Sequence, residues 1–112
     1  MDIITSEERG VALLTLRGKI MGGPDAVALN EHIHKLVEQG VRRAVVDLRG
    51  VEAMNSSGLG MLIGGLTTMR NVGGDLKLAN ASAKIRELLN VTKLLTIFEH
   101  YESSESAVSS FS

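Results

Sequence analysis

The chain has 112 residues, with 12 Lys and Arg against 13 Asp and Glu, and a formal net charge of −1 at pH 7. This length suits one small domain with a single hydrophobic core. The even charge balance excludes the basic surface that binding to nucleic acid or to an anionic membrane would require. The chain has no cysteine, which excludes disulfides, a thiol nucleophile and a cysteine-based zinc site.

Targeting and membrane signals are also absent from the sequence pattern. The first five residues lack the basic and long apolar regions of a signal peptide. No apolar stretch approaches the ~20 residues that a membrane-spanning helix needs. We therefore expect a soluble, cytoplasmic protein that does not bind a membrane directly.

The first elements in chain order are a hairpin and a helix. Ile3-Ile4 and the apolar run Val11–Leu16 are predicted to be its two strands, joined by a turn between Thr5 and Gly10, and the second strand ends near Gly18. Pro24 suits the first turn of the helix that follows. The apolar stripe of that helix, which ends at Gly40, comprises Ala26, Leu29, Ile33, Leu36 and Val37.

A buried strand and a second helix come next. The run Arg43–Leu48 is apolar enough to lie inside a sheet with both faces covered. After a short loop, apolar residues recur at helical spacing until Gly73-Gly74 ends the pattern. That stripe comprises Leu59, Leu62, Ile63, Leu66 and Met69.

The last part of the chain predicts smaller elements. Asp75–Asn80 alternates weakly and fits a less buried strand. Ser82 is a candidate N-cap for a helix that contains residues 85–89. Leu95–Phe98 is predicted as a short strand, and residues 107–111 indicate a small closing helix.

Together these patterns predict a single α/β domain over residues 1–112. Its sheet has four or five mostly parallel strands, with Val45 and Val46 at the centre. About four helices are expected, mainly on one face, because each helix carries one apolar stripe while the edge strands leave the other face partly open.

The segment Asn55–Gly60 places two adjacent serines, Ser56 and Ser57, between the central strand and the second helix. The start of a helix leaves backbone N–H groups unpaired and exposes the side chains there. This is a suitable place for a phosphoryl group to be added and removed.

Other kinds of chemistry fit the residues less well. The glycines from Gly58 to Gly65 follow the pattern GxGxxxGG rather than the GxGxxG of dinucleotide sites, so nucleotide binding stays a minor alternative. Neither serine has the GxSxG frame of a hydrolase. His32 and His34 lie about 200° apart around a helix and do not hold a metal together. We therefore expect neither an enzyme nor a cofactor.

The second helix also has a face of small residues. Met61, Gly65 and Thr68 lie opposite the stripe that contains Leu59 and Leu66. A solvent-facing methionine beside small residues makes an adaptable contact surface. The alternative is that another element covers Met61, and the sequence alone leaves both interpretations open.

Val45–Leu48 followed by Met54–Gly60 resembles the signature of the STAS domain, specifically that of the bacterial anti-sigma factor antagonists. In that family an apolar strand and a short loop precede Asp-Ser-Ser-Gly-Leu-Gly. The resemblance covers nearly the whole chain. Its other parts are Gly18–Ile20, Gly73–Leu78, Leu88–Leu94 and the tail Phe98–Phe111.

The resemblance implies a switch between partners. A serine kinase that doubles as an anti-sigma factor phosphorylates the first serine, here Ser56, with Ser57 as second choice, and a PP2C-type phosphatase reverses the step. The unphosphorylated antagonist binds the anti-sigma factor and frees the sigma factor. We expect a monomer or a weak dimer. The partner-facing residues are expected to be Met21, Gly22, Gly23, Met54, Asn55, Ser57, Gly58, Met61 and Gly65.

Two positions depart from the family pattern. Asn55 and Met21 stand where the family commonly has Asp, so the local field is less negative. Restoring Asp at position 55 is expected to change the phosphorylation rate more than the stability. The alternative function is a non-switching STAS scaffold, as a subunit of a stress-sensing assembly or beside a membrane transporter.

Overall fold

Five strands and four α-helices make up most of the protein. The computed structural model describes all 112 residues. No helix in it combines the length and the apolar character that crossing a membrane requires. The elements are β1 (Asp2–Glu8), β2 (Val11–Ile20), α1 (Pro24–Glu38), β3 (Arg43–Met54), α2 (Ser56–Asn71), β4 (Asp75–Ala79), α3 (Ala83–Val91), β5 (His100–Tyr101) and α4 (Ser104–Ser109).

The five strands form one sheet in the order β1-β2-β3-β4-β5. β1 and β2 are antiparallel, and the other three pairs are parallel. Val45 pairs with Leu13 on one side and Lys77 on the other. The mostly parallel sheet with Val45 and Val46 in its central strand is therefore confirmed.

The two faces of this sheet are covered differently. On one, which we call the helix face, α1, α2 and α3 pack on alternate strand residues such as Val46 in a cluster of 21 buried residues. On the other, the second face, α4 packs Ala107 and Val108 against Val45 and its neighbours in a cluster of six. Three of the four helices thus share one face, as the sequence predicted.

Three strands are longer than predicted. β1 spans Asp2–Glu8, so residues 5–8 of the predicted turn belong to the strand. β2 continues through Gly18 to Ile20, and β3 continues beyond Leu48 to Met54. The additional residues of β2 and β3 pair with each other, Gly18 with Val51 and Ile20 with Met54, after shifts in register. The prediction of a loop directly after residue 48 was therefore wrong. The extension depends on pairing between segments about 30 residues apart in the chain, and local sequence patterns do not contain this information.

The region after α2 also differs from the prediction. β4 is not a less buried strand, since Leu76, Lys77, Leu78 and Ala79 are all buried. β3 and β5 pair with β4 on its two sides, and helices cover both of its faces. The predicted strand Leu95–Phe98 is wrong: Leu94–Thr96 is a 3-10 turn, and the strand begins at His100. Leu94 and Phe98 both reach the core, a spacing of four that suits a helical turn.

Candidate functional site

The serine pair lies where two strand-to-helix junctions meet. β2 and β3 are parallel neighbours, so the loop Met21–Gly23 before α1 and Asn55 before α2 emerge at the same edge of the sheet. The backbone N–H of Asn55 donates to the carbonyl oxygen of Ile20 at 3.3 Å. Its side-chain Nδ2 donates to the carbonyl oxygen of Met21 at 3.4 Å. Asn55 therefore holds the two junctions together.

Asn55 is also the N-cap of α2. Its backbone is extended, and its Oδ1 accepts a hydrogen bond from the backbone N–H of Gly58 at 2.8 Å. Asn is among the best capping residues because its side-chain oxygen satisfies one of the open N–H groups of the first turn. Ser56 and Ser57 are the first two helical residues, and both are exposed. The predicted exposure of the serines is confirmed, and neither one is the cap.

Two glycines allow the junctions to interlock. Gly22 has φ +82, and a Cβ added to it would lie 2.7 Å from the Cβ of Ser57. A Cβ added to Gly58 would collide with the carbonyl oxygen of Ile20, a backbone atom that has no freedom to move aside. Both glycines are buried. They were predicted as partner-facing residues, but their role in the structure is to let the loops approach.

Met61 and Gly65 are likewise covered. Met61 is only 8% exposed, and a Cβ added to Gly65 would lie 2.6 Å from Cδ1 of Ile33 in α1. The prediction that Met61 faces solvent is wrong, and the alternative, that another element covers it, is right. A groove of about 330 Å³ remains between the two helices, lined by Ala26, Val27, Asn30, Ile33, Met61, Gly64 and Gly65.

An uncharged patch surrounds the serines. Met21 and Val27, at 43% and 58% exposed, are two of the seven large apolar side chains that the protein exposes. Gly60 and Gly64 are exposed inside α2, and an added Cβ would meet nothing at either position. Of the other predicted interface residues, Met54 is half-buried. We call this surface the serine patch; it comprises Met21, Gly23, Val27, Ser56, Ser57, Gly60 and Gly64.

Charge near the serines comes from α1 rather than from α2. The one charged side chain of α2 is Arg70, in its last turn. Asp25, in the first turn of α1, accepts a hydrogen bond from the backbone N–H of Met21 at 3.5 Å. This carboxylate was not among the residues predicted from the sequence, although an acid directly after Pro24 at a helix start was visible. Asp25 therefore places an acid beside Met21, and the N-terminal ammonium of Met1 is its ion-pair partner at 3.6 Å.

The remaining titratable side chains form no reactive cluster. No group of His, Asp and Glu side chains in the structure is arranged to hold a metal ion. His32 and His34 are exposed on α1. His100 is half-buried, and its Nε2 accepts a hydrogen bond from the backbone N–H of Ala81 at 3.2 Å. Burial lowers the pKa of His100, the Arg86 guanidinium lowers it further, and Glu102 opposes them.

Comparison with known proteins places this geometry in a family. The family model of the STAS domain matches residues 2–107. The anti-sigma-B factor antagonist of Bacillus subtilis is 35% identical over 83 residues, which cover 74% of this chain and 75% of that protein. The protein BtrV of Bordetella bronchiseptica is 28% identical over 111 residues, 99% of this chain and 95% of that one.

Solved structures share the fold. A crystal structure of a protein from Thermotoga maritima has a TM-score of 0.87 at 19% sequence identity, covering 96% of this chain and 92% of that chain. At that level of identity the likeness concerns the arrangement of strands and helices alone.

Proposed function

The chain belongs to the STAS domain family, among the bacterial anti-sigma factor antagonists, and we propose that it is a partner-switching regulator. Unphosphorylated, it binds an anti-sigma factor that is also a serine kinase, and the sigma factor is released. The kinase phosphorylates Ser56, and the antagonist then dissociates from the anti-sigma factor. A PP2C-type phosphatase then restores the binding form.

One observation carries this proposal. The hydroxyl of Ser56 lies on the surface at the first position of α2, while Asn55 does the capping. A kinase therefore reaches the hydroxyl without displacing a structural hydrogen bond. Ser57 is exposed as well, but Gly22 packs directly against its Cβ. Ser56 is the better acceptor for this reason.

A phosphate on Ser56 changes the surface more than the fold. Phosphoserine brings a charge of about −1.5 to −2 at neutral pH. The positive end of the α2 dipole tolerates that charge. The surrounding serine patch, by contrast, contains no charged residue, so the modification converts a neutral contact surface into an anionic one. Burying an unpaired anion in an interface costs several kcal/mol, which is enough to break a complex.

The shape of the serine patch supports close contact with a partner. Glycine inside a helix costs about 1 kcal/mol relative to alanine, and neither Gly60 nor Gly64 has an internal neighbour that requires it. Their absent side chains leave α2 flat beside the groove between α1 and α2. We propose that the anti-sigma partner lies against this flat face and inserts an apolar side chain into the groove.

Position 55 affects the switch more than the fold. Asp caps a helix about as well as Asn does, so Asn55→Asp keeps the bond from the Gly58 N–H but loses the bond that Nδ2 donates to the Met21 carbonyl. The added carboxylate would lie next to Ser56 and close to the junction that Asp25 already approaches. We expect a changed phosphorylation rate, and a loss of about 0.5–1.5 kcal/mol in unfolding free energy from the missing bond to Met21.

The experiment compares serine variants with the cognate anti-sigma kinase. Ser56→Ala is expected to bind the kinase equally with and without ATP, since it has no hydroxyl to modify. Ser56→Asp is expected to bind at least tenfold more weakly. Calorimetry gives the affinities, and mass spectrometry locates the phosphate. Ser57→Ala is the matched control, with the switch retained.

The alternative function gives the opposite result. A non-switching STAS scaffold would carry no phosphate on Ser56 or Ser57 after incubation with kinase and ATP. Its partner binding would be insensitive to ATP and equal in Ser56→Ala and Ser56→Asp. That pair of results would reject the partner-switching proposal.

A further inference from the structure

The second face of the sheet buries a lysine that the serine site does not use. Lys77 lies in β4 between Leu76 and Leu78, which point to the helix face, and it is only 6% exposed. Its ammonium group donates to the hydroxyl of Ser110 at 2.8 Å and contacts the carbonyl oxygen of Ser110 at 3.5 Å. A buried ammonium is costly unless it is well satisfied, so these partners define its environment.

All the groups around this ammonium come from the segment that begins after Phe98. Glu99 is an ion-pair partner at 3.7 Å. The Phe111 ring lies with its centroid 4.2 Å from Nζ, and the Tyr101 ring at 5.6 Å, both within the range of cation–π attraction. The ammonium is therefore satisfied by the same residues that cover it.

The helix that closes this face depends on docking. α4 has six residues, too few to be stable alone in water. It is held by Ala107 and Val108, which pack on Val11, Leu13, Val45 and Ala79. A further contact is an exposed hydrogen bond from Arg9 to Ser109 at 3.3 Å. The attachment consists of a small apolar contact and the lysine group.

A permanent cover would favour an apolar residue at position 77. Replacing a buried charge with an apolar residue of similar volume is often neutral or stabilising. With lysine there, lifting α4 and Phe111 exposes the ammonium to water while Glu99 and Tyr101 stay beside it, and this hydration offsets part of the lost apolar contact. The free energy that favours the closed state is therefore smaller than the buried apolar area alone would predict.

We propose that residues 104–111 form a releasable strap over the second face, with Lys77 as the group that sets how readily it opens. The strap opens as a unit while the sheet and the helix face stay folded. Opening exposes Val11, Leu13 and Val45 on the side of the sheet opposite α2.

Amide hydrogen exchange under native conditions tests the strap. In the wild type, the strap amides of Ala107 and Ser110, which bond to Ser103 and Ser106 carbonyls, are expected to exchange at least tenfold faster than the amides of β3. Lys77→Met is expected to slow the strap amides by roughly tenfold. The α2 amide of Leu59, bonded to the Asn55 carbonyl, is expected to exchange more slowly than the strap amides in both the wild type and Lys77→Met.

A second variant separates the lysine group from apolar packing. Phe111→Leu keeps an apolar side chain but removes the ring above the ammonium, and faster exchange confined to the strap is expected. Equal exchange rates for strap and β3 amides in the wild type would overturn the proposal, whether or not the variants fold. So would a folded Lys77→Met whose strap exchanges as fast as the wild type.

Discussion

The two faces of the sheet are built on different principles. The helix face buries 21 hydrophobic residues under three helices and contains no buried charge. The second face has a cluster of six under one short helix, and both buried charged residues, Asp47 and Lys77, lie there. We conclude that the helix face supplies most of the stability and a rigid base for the serine junction. The second face is a lighter cover with specific polar contacts.

Asp47 shows how the second face can hold a buried charge without relying on a segment that opens. Its Oδ1 accepts a hydrogen bond from the backbone N–H of Arg49 at 2.9 Å and one from the Asn80 side chain at 3.0 Å. Asn80 has φ +57, a left-handed conformation that Asn adopts more readily than most residues. Arg49 lies within β3 itself, and Asn80 directly follows β4. Asp47 therefore stabilises the junction after β4, whereas Lys77 depends in part on a separable segment, through Ser110 and Phe111.

The largest expected effect compares core truncations on the two faces. Leu62 in α2 is fully buried, and Val108 in α4 is 2% exposed. Leu62→Ala is expected to lower the free energy of unfolding by about 2–5 kcal/mol, since a cavity adds to the lost transfer energy. Val108→Ala removes two carbons and is expected to cost about 1.5–2.5 kcal/mol. Urea unfolding measures both, and an equal or larger loss for Val108→Ala would contradict the difference between the faces.

A smaller effect separates two glycines of the same helix. Gly58→Ala places a methyl against the Ile20 carbonyl, so a loss of about 1–3 kcal/mol is expected. Gly64→Ala adds a methyl in open space and is expected to raise stability by up to about 1 kcal/mol. Thermal unfolding gives both values. If Gly64→Ala destabilises the isolated protein, its glycine has a role within the fold and not at a partner surface.

The smallest expected effect concerns pH on the helix face. The folded protein lowers the pKa of His100 from its ordinary value of 6.5, so the unfolded chain takes up the proton first. The contribution of His100 to the unfolding free energy should therefore be greatest above about pH 6.5. It should decrease as the pH falls from 6.5 through the lowered pKa. Urea unfolding of wild type and His100→Asn between pH 8 and 5 tests this, and identical pH profiles for the two proteins would refute it.

Local patterns predicted the elements whose residues carry their own information. Pro24 begins α1 where expected, Ser82 caps α3 through the Ile85 N–H, and a small helix covers residues 104–109. The exposure of Ser56 and Ser57 also followed from sequence, because it depends only on where a strand stops and a helix starts. Predictions of this kind need no knowledge of which elements are neighbours.

The burial of α2 illustrates what sequence patterns leave undetermined. The helical stripe assigned Met61 and Gly65 to the outer side, yet α1 lies against them. Ile63, placed in the inner stripe, is half-exposed. The helical spacing of apolar residues identifies the side of a helix that packs against one neighbouring element. A helix that packs on both a sheet and another helix buries a wider arc than one stripe describes.

The sequence by itself determined the α/β class, the family and the position of the serine pair, since these rest on residue types and spacings along the chain. Only the tertiary structure decided that Gly22 and Gly58 interlock two junctions, that Asp25 reaches the same site, and that Lys77 is enclosed by the last helix. Each of these depends on a contact between segments distant along the chain. Such contacts are fixed by the pairing of β2 with β3 and of β4 with β5, which no single segment encodes.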